Sequence, residues 1–427
     1  MRFNITTLGC KVNSCESAAI AAAFAAAGYQ PAGEGEIADI YIVNSCAVTS
    51  MSVKKARQAV SHCRAENPDG VVVLCGCYPQ AYQEEAERDC DADIITGNAE
   101  KGALPAMVAE YLEKKSRICC VGALSREFDE SSSAADLDRT RAFIKIEDGC
   151  DRFCTYCIIP TARGRVRSRL PEEIAGQARQ AAAAGNREIV LTGINIGCYG
   201  EDIGHTPADA VMAAQVEGIE RVRLGSLEAD TLTDSEIERL RGCDKLCPHF
   251  HLSLQSGSDA VLQRMKRRYT TEEYAKVVDK LRGAFPECAI TTDIMVGFPG
   301  ESDEEFAESM AFAEKIGFAG IHVFQYSIRR GTVAAMRPNQ VTPQVKSARA
   351  KAMANVAERL ERKFLEEQVG TVQTVLIEKS TSEEYSHGFT GSYIPVRIYG
   401  EDIPRHTLVS VRITGAQEKY CTGTTIE

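Results

Sequence analysis

Apolar strand-like segments alternate with helical segments along the first 115 residues of this 427-residue chain. The strand candidates are RFNITTL, DIYIVN, VVVLC and DIIT, and the helical segments span about 14–27, 50–65, 79–89 and 101–115. Parallel strands that are joined by helices and buried on both faces have near-continuous apolar sequences of this kind. The alternation therefore predicts a flavodoxin-like, doubly wound sheet over 1–115, with the strand order 2-1-3-4.

The rest of the chain divides into three further parts. The polar stretch FDESSSAADLD indicates a linker over 116–140. Over 141–367 the alternation resumes with six βα units and a long charged helix at 344–367, which predicts a partial (β/α)6 barrel. The strand candidates there are AFIKIED, EIVLTG, RVRLGS, FHLSL, AITTDIMVG and GIHVFQYS. The last segment, 368–427, shows β-type alternation and predicts a small all-β barrel module.

Composition limits where the protein works and what its cysteines do. No apolar run approaches the ~20 residues of a membrane span, and MRFNITTLGC lacks the apolar core of a signal peptide. We therefore expect a cytoplasmic protein with no membrane partner. Thiols stay reduced there, so the 17 cysteines are expected to be metal ligands, nucleophiles or core residues rather than disulfides. The net charge of −11 argues against non-specific nucleic-acid coating.

Three cysteines, Cys150, Cys154 and Cys157, form a C-x3-C-x2-C run directly after a predicted strand. A structural zinc site normally takes four protein ligands in two distant pairs. Closely spaced thiolates are instead typical of iron–sulfur clusters, and three of them would leave one iron of a four-iron cluster open to a small molecule. A zinc loop with a remote fourth ligand is the alternative that the spacing leaves open.

A second set of cysteines follows three successive strands of the N-terminal sheet. Cys10, Cys46 and Cys77 stand at the carboxyl ends of the first three strand candidates. Adjacent strands lie ~4.8 Å apart, so the three loops would span roughly 10 Å and their thiols could converge on one cluster. The alternative is three small core residues in a cysteine-rich chain. Cys75 lies within its strand and is predicted to be a core residue, as are five others without such placement: Cys15, Cys63, Cys90, Cys119 and Cys120.

The cysteine loop of the central domain resembles that of the radical S-adenosylmethionine (SAM) enzymes, with Tyr156 before its last cysteine. The resemblance implies that the loop holds a 4Fe–4S cluster whose open iron binds SAM, and that Tyr156 packs near the adenine. Functional groups of TIM-like folds sit at the carboxyl ends of the strands. Six residues at that rim are candidate SAM contacts, each with a turn or helix-cap role as the alternative: Gly193, Asn195, Ser226, Glu228, Gln255 and Arg267. Of these, Arg267 is expected to face the SAM carboxylate. No catalytic residue beyond the cluster ligands is identified.

Four segments, LGCKVNSCES, NSCAVT, GCYPQ and GCDRFCTYCIIPTARGRVRSR, resemble the methylthiotransferases, and the similarity covers essentially the whole chain. The resemblance implies that Cys10, Cys46 and Cys77 hold an auxiliary 4Fe–4S cluster that delivers sulfur, and that 368–427 is a TRAM-like, RNA-binding module. It also implies two SAM molecules, one that methylates the sulfur and one that gives the radical which removes hydrogen from the substrate. An external electron donor and a sulfur source are implied, and we expect a monomer.

GCKVN and CIIPTARGRVRSR look most like the branch that modifies threonylcarbamoyladenosine next to the anticodon of tRNA. Branches that act on isopentenyladenosine in tRNA or on a ribosomal-protein aspartate are the alternatives. The aspartate branch typically has proline after the first auxiliary cysteine, where this chain has Lys11. An alternative of another class is a zinc-stabilised RNA-binding protein without radical chemistry.

An arginine-rich segment after the cysteine loop, RGRVRSR, is the predicted RNA contact. Phosphates of a docked anticodon arm could lie beside it, although a solvated loop paired with Glu172 and Glu173 is the alternative. The C-terminal module has five Lys or Arg against seven Asp or Glu, so its RNA role rests on resemblance alone. The four predicted RNA-binding residues are Arg163, Arg165, Arg167 and Arg169.

Overall fold

The computed structural model describes residues 1–129, 139–381 and 384–426. It confirms the predicted fold class: two parallel α/β units followed by a closed five-stranded barrel. The middle of the predicted linker, 130–138, lies outside the described residues. Along the described chain, no helix combines the length and the apolar composition that a membrane crossing requires.

The N-terminal unit is a six-stranded parallel sheet covered by helices on both faces. Its strands are β1 (Arg2–Thr7), β2 (Gln30–Pro31), β3 (Ile40–Ser45), β4 (Val71–Gly76), β5 (Ile94–Thr96) and β6 (Ile118–Cys120). Its helices are α1 (Lys11–Ala26), α2 (Ser50–Glu66), α3 (Cys77–Ala81), α4 (Gln83–Asp89) and α5 (Leu104–Lys114).

The two central strands of this sheet, β3 and β4, are buried along their whole length. On β4, Val72 and Leu74 face one layer of helices, while Val71, Val73 and Cys75 face the other. Each fully buried aliphatic side chain stabilises the fold by about 1.5–3 kcal/mol. The continuous apolar sequence is therefore a consequence of having helices on both faces.

The order of the strands differs from the prediction, because β2 is a two-residue strand with no sequence signal. The observed order is β2-β1-β3-β4-β5-β6, so DIYIVN lies between the first and third strand candidates rather than outside them. The first three candidates are still neighbours, as the cluster argument requires. Residues 118–120, which were predicted to lie in the linker, form the edge strand β6 and pair with β5.

The central unit is an arc of parallel strands, in two sheets with the orders β11-β10-β7 and β12-β13-β14-β15, to which a separate antiparallel pair, β8-β9, is added. Its strands are β7 (Arg141–Lys145), β8 (Glu147–Asp148), β9 (Arg167–Ser168), β10 (Glu188–Thr192), β11 (Arg221–Leu224), β12 (Ser226–Leu227), β13 (His249–Leu252), β14 (Ala289–Val296) and β15 (Gly320–Gln325). Its helices are α6 (Ile159–Arg163), α7 (Pro171–Ala183), α8 (Pro207–Ala214), α9 (Asp234–Arg241), α10 (Asp259–Met265), α11 (Thr271–Ala284), α12 (Asp303–Ile316) and α13 (Pro343–Glu367).

Helix α1 of the N-terminal unit packs against the inner side of this arc. Cys15 on α1 forms a small buried cluster with Phe143 of β7 and Val190 of β10. Alternate residues of the same two strands, Ile144 and Leu191, belong to the outer core under the helices. The partial barrel is thus covered by a neighbouring unit of the chain, and Cys15 is a core residue as predicted.

The C-terminal module is a closed barrel with the strand order β16-β17-β18-β20-β19. It docks on the amino-terminal ends of the central strands, where Arg223 donates to the Gly391 carbonyl at 2.8 Å. Arg141 pairs with Glu378 at 2.8 Å and lies over the ring of Tyr393. The strands are β16 (Val372–Thr381), β17 (Tyr385–Thr390), β18 (Pro395–Tyr399), β19 (Leu408–Ala416) and β20 (Cys421–Thr425).

Candidate active site

The three N-terminal cysteines lie together at the carboxyl edge of the sheet. Cys10 precedes α1, Cys46 follows β3, and Cys77 is the first residue of α3. The charge of Cys77 raises the pKa of both Cys10 and Cys46, and that of Cys10 also raises the pKa of Cys46, so the three thiols lie near one another. Burial raises the pKa of Cys46 to about 11, so this thiol is neutral by itself and ionises when a cation such as iron binds it.

Glycines stand directly before two of these cysteines, where neighbouring atoms approach the backbone too closely for a side chain. Gly9 has φ +117°, and a methyl group there would lie 3.2 Å from the Cys46 sulfur. Gly76 has φ +101°, and a methyl group there would lie 2.6 Å from the Ser45 carbonyl oxygen. Three thiols at one edge of the sheet fit a 4Fe–4S cluster, in which each thiolate binds a different iron. Within the described part of the chain, no three Cys, His, Asp or Glu side chains are already close enough for a single metal ion.

The structure separates Cys77 from its neighbour Cys75. Cys75 is fully buried on the β4 face that carries Val71 and Val73, in the hydrophobic core. Cys77 lies on the other face, packs with Ile158 of the central unit, and accepts a hydrogen bond from the Arg163 Nε at 3.2 Å. Only Cys77 of the pair therefore faces the central unit.

The second cysteine set occupies the loop between β8 and α6. Cys157 N–H donates to the Cys154 carbonyl at 3.0 Å, and Cys150 N–H donates to the Gly164 carbonyl at 3.1 Å, so the loop is folded back on itself. Burial raises the pKa of Cys150 to about 11 and that of Cys157 to about 12. These thiols also need a bound cation to ionise. Three thiols within one short loop fit a cluster that keeps one iron open.

A cavity of about 390 Å³, here called the Tyr156 cavity, lies between the two cysteine sets. Part of its wall is Val48 and Thr49, which follow Cys46 by two and three residues, and another part is Tyr156 and Cys157. The remaining wall comes from the ends of β14 and β15 and from nearby loops: Ile158, Ile159, Gln255, Asp293, Met295, Phe324, Gln325, Tyr326 and Ser327. A small molecule in this space would contact both cysteine-bearing loops.

Three of the predicted SAM contacts lie beside this cavity or beside the thiols. Tyr156 and Gln255 line it, and the Gln255 Oε1 is buried without a protein partner. The Asn195 Nδ2 lies 3.7 Å from the Cys150 sulfur. Gly193 makes room for Glu147, since a methyl group on it would lie 2.6 Å from that carboxylate. These positions are compatible with the predicted roles.

The structure does not support the expected role of Arg267. Its guanidinium group is enclosed and donates to Glu228 at 2.9 Å, to the Ser253 carbonyl at 3.1 Å and to the Cys154 sulfur at 3.4 Å. Arg267 therefore fixes the cysteine loop and Glu228 in position, and its guanidinium N–H groups are not free to bind a SAM carboxylate. Ser226 lines a different cavity, described below, rather than the Tyr156 cavity.

A buried ionic cluster joins the N-terminal sheet to the cysteine loop. Arg163 is fully buried and contacts Glu16, Asp148 at 3.2 Å and the Asn13 side-chain oxygen at 2.7 Å. Burial alone would raise the pKa of Glu16, but the charges of Arg163, Lys101 and Lys145 outweigh it and hold the pKa well below its usual range. The cluster thus fixes one cysteine set relative to the other.

This cluster corrects the prediction of RNA contacts. Arg163, Arg167 and Arg169 are buried, because their guanidinium groups satisfy carboxylates and carbonyl groups inside the protein. Arg165 alone of the four is exposed, and it pairs with Asp151 at 3.0 Å. The segment RGRVRSR is therefore mainly a structural connection between the two units, and three of its arginines are unavailable to phosphates.

Sequence reasoning missed the acidic partners of these arginines and the inner residues of β14. Glu16 lies 147 residues before Arg163 in the chain, so no local pattern joins them. Asp293 and Met295 line the Tyr156 cavity from alternate positions of β14. The period-2 pattern of TTDIMVG would have identified that face of the strand as the inner one.

Comparison with known proteins gives matches over nearly the whole chain. Residues 144–313 match the model of the Radical SAM superfamily, and residues 2–97 match that of uncharacterized protein family UPF0004. The Bacillus subtilis threonylcarbamoyladenosine tRNA methylthiotransferase MtaB is 40% identical, over 98% of this chain and 94% of the relative. The tRNA-2-methylthio-N(6)-dimethylallyladenosine synthase of Pelotomaculum thermopropionicum is 32% identical, over 99% of this chain and 97% of the relative.

Among solved structures, the radical S-adenosylmethionine methyltransferase TsrM from Kitasatospora setae, with cobalamin and a [4Fe-4S] cluster bound, has a similar fold. The TM-score is 0.57 at 12% identity, with 78% of this chain and 74% of that chain covered. At this identity the similarity concerns the fold alone.

Proposed function

Because the chain belongs to the radical SAM tRNA methylthiotransferases, we propose that it inserts a methylthio group at C2 of N6-threonylcarbamoyladenosine next to the anticodon of tRNA. The reaction would consume two SAM molecules, one for the methyl group and one for the radical. Electrons and sulfur would come from external donors. We place this reaction in the cytoplasm, with the protein as a monomer.

The observation that carries the proposal is the Tyr156 cavity between the two cysteine sets. The residues after Cys46 form part of its wall, and Tyr156 and Cys157 form another part. A C–H bond held in this cavity would face both a site of radical generation and a source of sulfur. Bringing reacting groups together in one enclosed space is the main contribution that a protein makes to cofactor chemistry.

We assign Cys10, Cys46 and Cys77 to an auxiliary 4Fe–4S cluster and Cys150, Cys154 and Cys157 to the cluster that binds SAM. When bound, the cluster at the SAM site would supply the electron that cleaves SAM, and the auxiliary cluster would present the sulfur. The chain itself holds the cysteine loop in place through Arg267 and Asn195, next to Cys154 and Cys150. Apolar side chains of the cavity, Met295 and Phe324, would exclude water from the radical.

A basic cleft next to the cavity supports RNA binding at this end of the protein. The cleft, of about 540 Å³, is lined by the cations Lys54 and Arg330 and by the exposed side chains of Ile328 and Met336. Arg57 also lines it, but its guanidinium group pairs with Glu85 of the same cleft. It adjoins the Tyr156 cavity, because Ser50 of the cleft donates to Ser327 of the cavity at 3.0 Å. Cations suit the phosphates of an anticodon arm, and apolar groups suit its unstacked bases. We therefore place the RNA contact here instead of at RGRVRSR.

The test is turnover by anaerobically reconstituted protein with SAM, a reductant and anticodon stem–loop RNA. Two otherwise identical stem–loops carry either threonylcarbamoyladenosine or isopentenyladenosine at the same position. Mass spectrometry of the nucleosides should find the added methylthio group only on the first. A methylthio product on the isopentenyl RNA alone would assign the chain to that branch, and no product on either RNA would refute the tRNA assignment.

A further inference from the structure

A second cavity, here called the Lys11 cavity, lies inside the arc of central strands and has a volume of about 440 Å³. Its walls come from all three parts of the chain: Lys11 from α1, His251 from β13, and Tyr393 from the C-terminal module. Asp293 of β14 lines both this cavity and the Tyr156 cavity, so the two spaces are neighbours.

The charged side chains in the wall of the Lys11 cavity are paired with groups of opposite charge or with imidazole rings, with the exception of Lys11. Arg223 pairs with Glu188 at 2.9 Å and donates to the Gly391 carbonyl. Both acidic groups of the wall have cationic or imidazole partners: Asp293 has His251 at 3.2 Å, and Glu361 has Lys419 at 2.6 Å.

Lys11 has no such partner. Among the described residues it forms no salt bridge, and its ammonium group lies over the ring of Phe143, 5.7 Å from the ring centroid. The Lys11 side chain is exposed to the space of the cavity, so its ammonium group is available to a ligand that provides the opposite charge. The cavity is therefore suited to a ligand that carries one negative charge.

We propose that the Lys11 cavity binds the threonylcarbamoyl side chain of the substrate and that Lys11 is the counter-ion of its carboxylate. The inference rests on the proposed function, since that side chain is the anionic part of the modified base. Lys11 directly follows Cys10, so the ammonium group extends from the auxiliary site itself. The exposed Ser226 hydroxyl in the same wall is available to the threonine hydroxyl. Lys11 would thus be a specificity-determining residue that distinguishes this base from adenosines with an uncharged N6 substituent.

The experiment uses the reconstituted full chain and fluorescence anisotropy with two labelled anticodon stem–loops. One carries threonylcarbamoyladenosine and the other its methyl ester, which has the same shape without the charge. A hydrogen bond to a charged group corresponds to a preference of roughly 10- to 100-fold, so the wild-type chain should bind the acid that much more tightly. Lys11→Gln should remove the preference while iron content and SAM affinity stay unchanged, and Lys11→Arg should retain most of it.

Three results would overturn the inference. One is equal binding of acid and ester by the wild-type chain, which needs no variant. Another is an undiminished preference in Lys11→Gln. The third is loss of iron or of SAM affinity in Lys11→Gln with equal weakening of both RNAs, since Lys11 would then serve the cofactors. Absence of methylthio product from the acid RNA with the wild-type chain would instead refute the proposed function, so the two failures are distinguishable.

Discussion

Replacing the buried Arg163 by methionine should destabilise the protein rather than weaken RNA binding. The guanidinium group contacts Glu16, Asp148, Asn13 and the Cys77 sulfur, and none of it is exposed. Removing one partner of a buried ionic network typically costs ~3–5 kcal/mol.

The structure places the expected loss at the lower end of that range. Two carboxylates, Glu16 and Asp148, are surrounded by four cations, of which three remain in the variant: Lys101, Lys145 and Arg167. Neither carboxylate loses its last counter-ion, so the loss comes mainly from unsatisfied hydrogen bonds. We expect about 3 kcal/mol, which for a unit of this size lowers the melting temperature by ~6–12 °C.

Anaerobic differential scanning calorimetry measures this change, and Arg165→Met is the matched control. Arg165 is two residues away, its side chain is 68% exposed, and its surface pair with Asp151 contributes ~0–1 kcal/mol. Affinity for the anticodon stem–loop is measured on both variants. Equal melting temperatures of the two variants, together with weaker RNA binding by Arg163→Met alone, would refute the structural role and restore the RNA role.

Three further predictions concern the same cluster, the basic cleft and the SAM site. The pKa of Asp148 is held at about 2, and that of Glu16 also lies below its unfolded value, so the two carboxylates stabilise the folded protein fully above pH ~5 and lose this effect towards pH 2. The free energy of unfolding in urea should therefore depend less on pH in Glu16→Gln than in the wild-type chain. Parallel plots of this free energy against pH for the two proteins would contradict the prediction. Replacing Lys54 and Arg330 together by alanine should lower the steepness of the plot of log affinity for the stem–loop against log salt concentration by ~0.7–0.9 per lost phosphate contact. An unchanged slope would exclude the cleft as the RNA contact. Tyr156→Leu should raise the SAM dissociation constant ~2- to 10-fold in equilibrium binding, whereas an unchanged constant would remove Tyr156 from the site.

Local patterns predicted the parts of the fold whose sequences carry a period or a turn signal. The strands β3 and β4 have unbroken apolar sequences because both faces are buried, and the helix α7 has proline at its start and Gly185 after its end. The two-residue strand β2 has neither signal, so it was missed and the strand order was wrong. The prediction that Cys10, Cys46 and Cys77 lie at one edge of the sheet still holds, because β1, β3 and β4, which precede them, are neighbours in both the predicted and the observed strand order.

The site was less predictable where its parts come from distant segments. A row of arginines has the same sequence whether phosphates or buried carboxylates neutralise it, and Glu16 and Asp148 belong to different units. Likewise, nothing local shows that Arg267 contacts the Cys154 sulfur or that Ser226 faces the Lys11 cavity. Such contacts follow from how the three parts pack together, which the linear pattern does not specify.

Iron analysis of the anaerobically reconstituted protein tests the two-cluster arrangement most directly. The wild-type chain and Cys75→Ala should each bind about eight irons, because Cys75 lies in the core, while Cys77→Ala should retain about four. About four irons in the wild-type chain, or an equal loss in the two variants, would contradict the account.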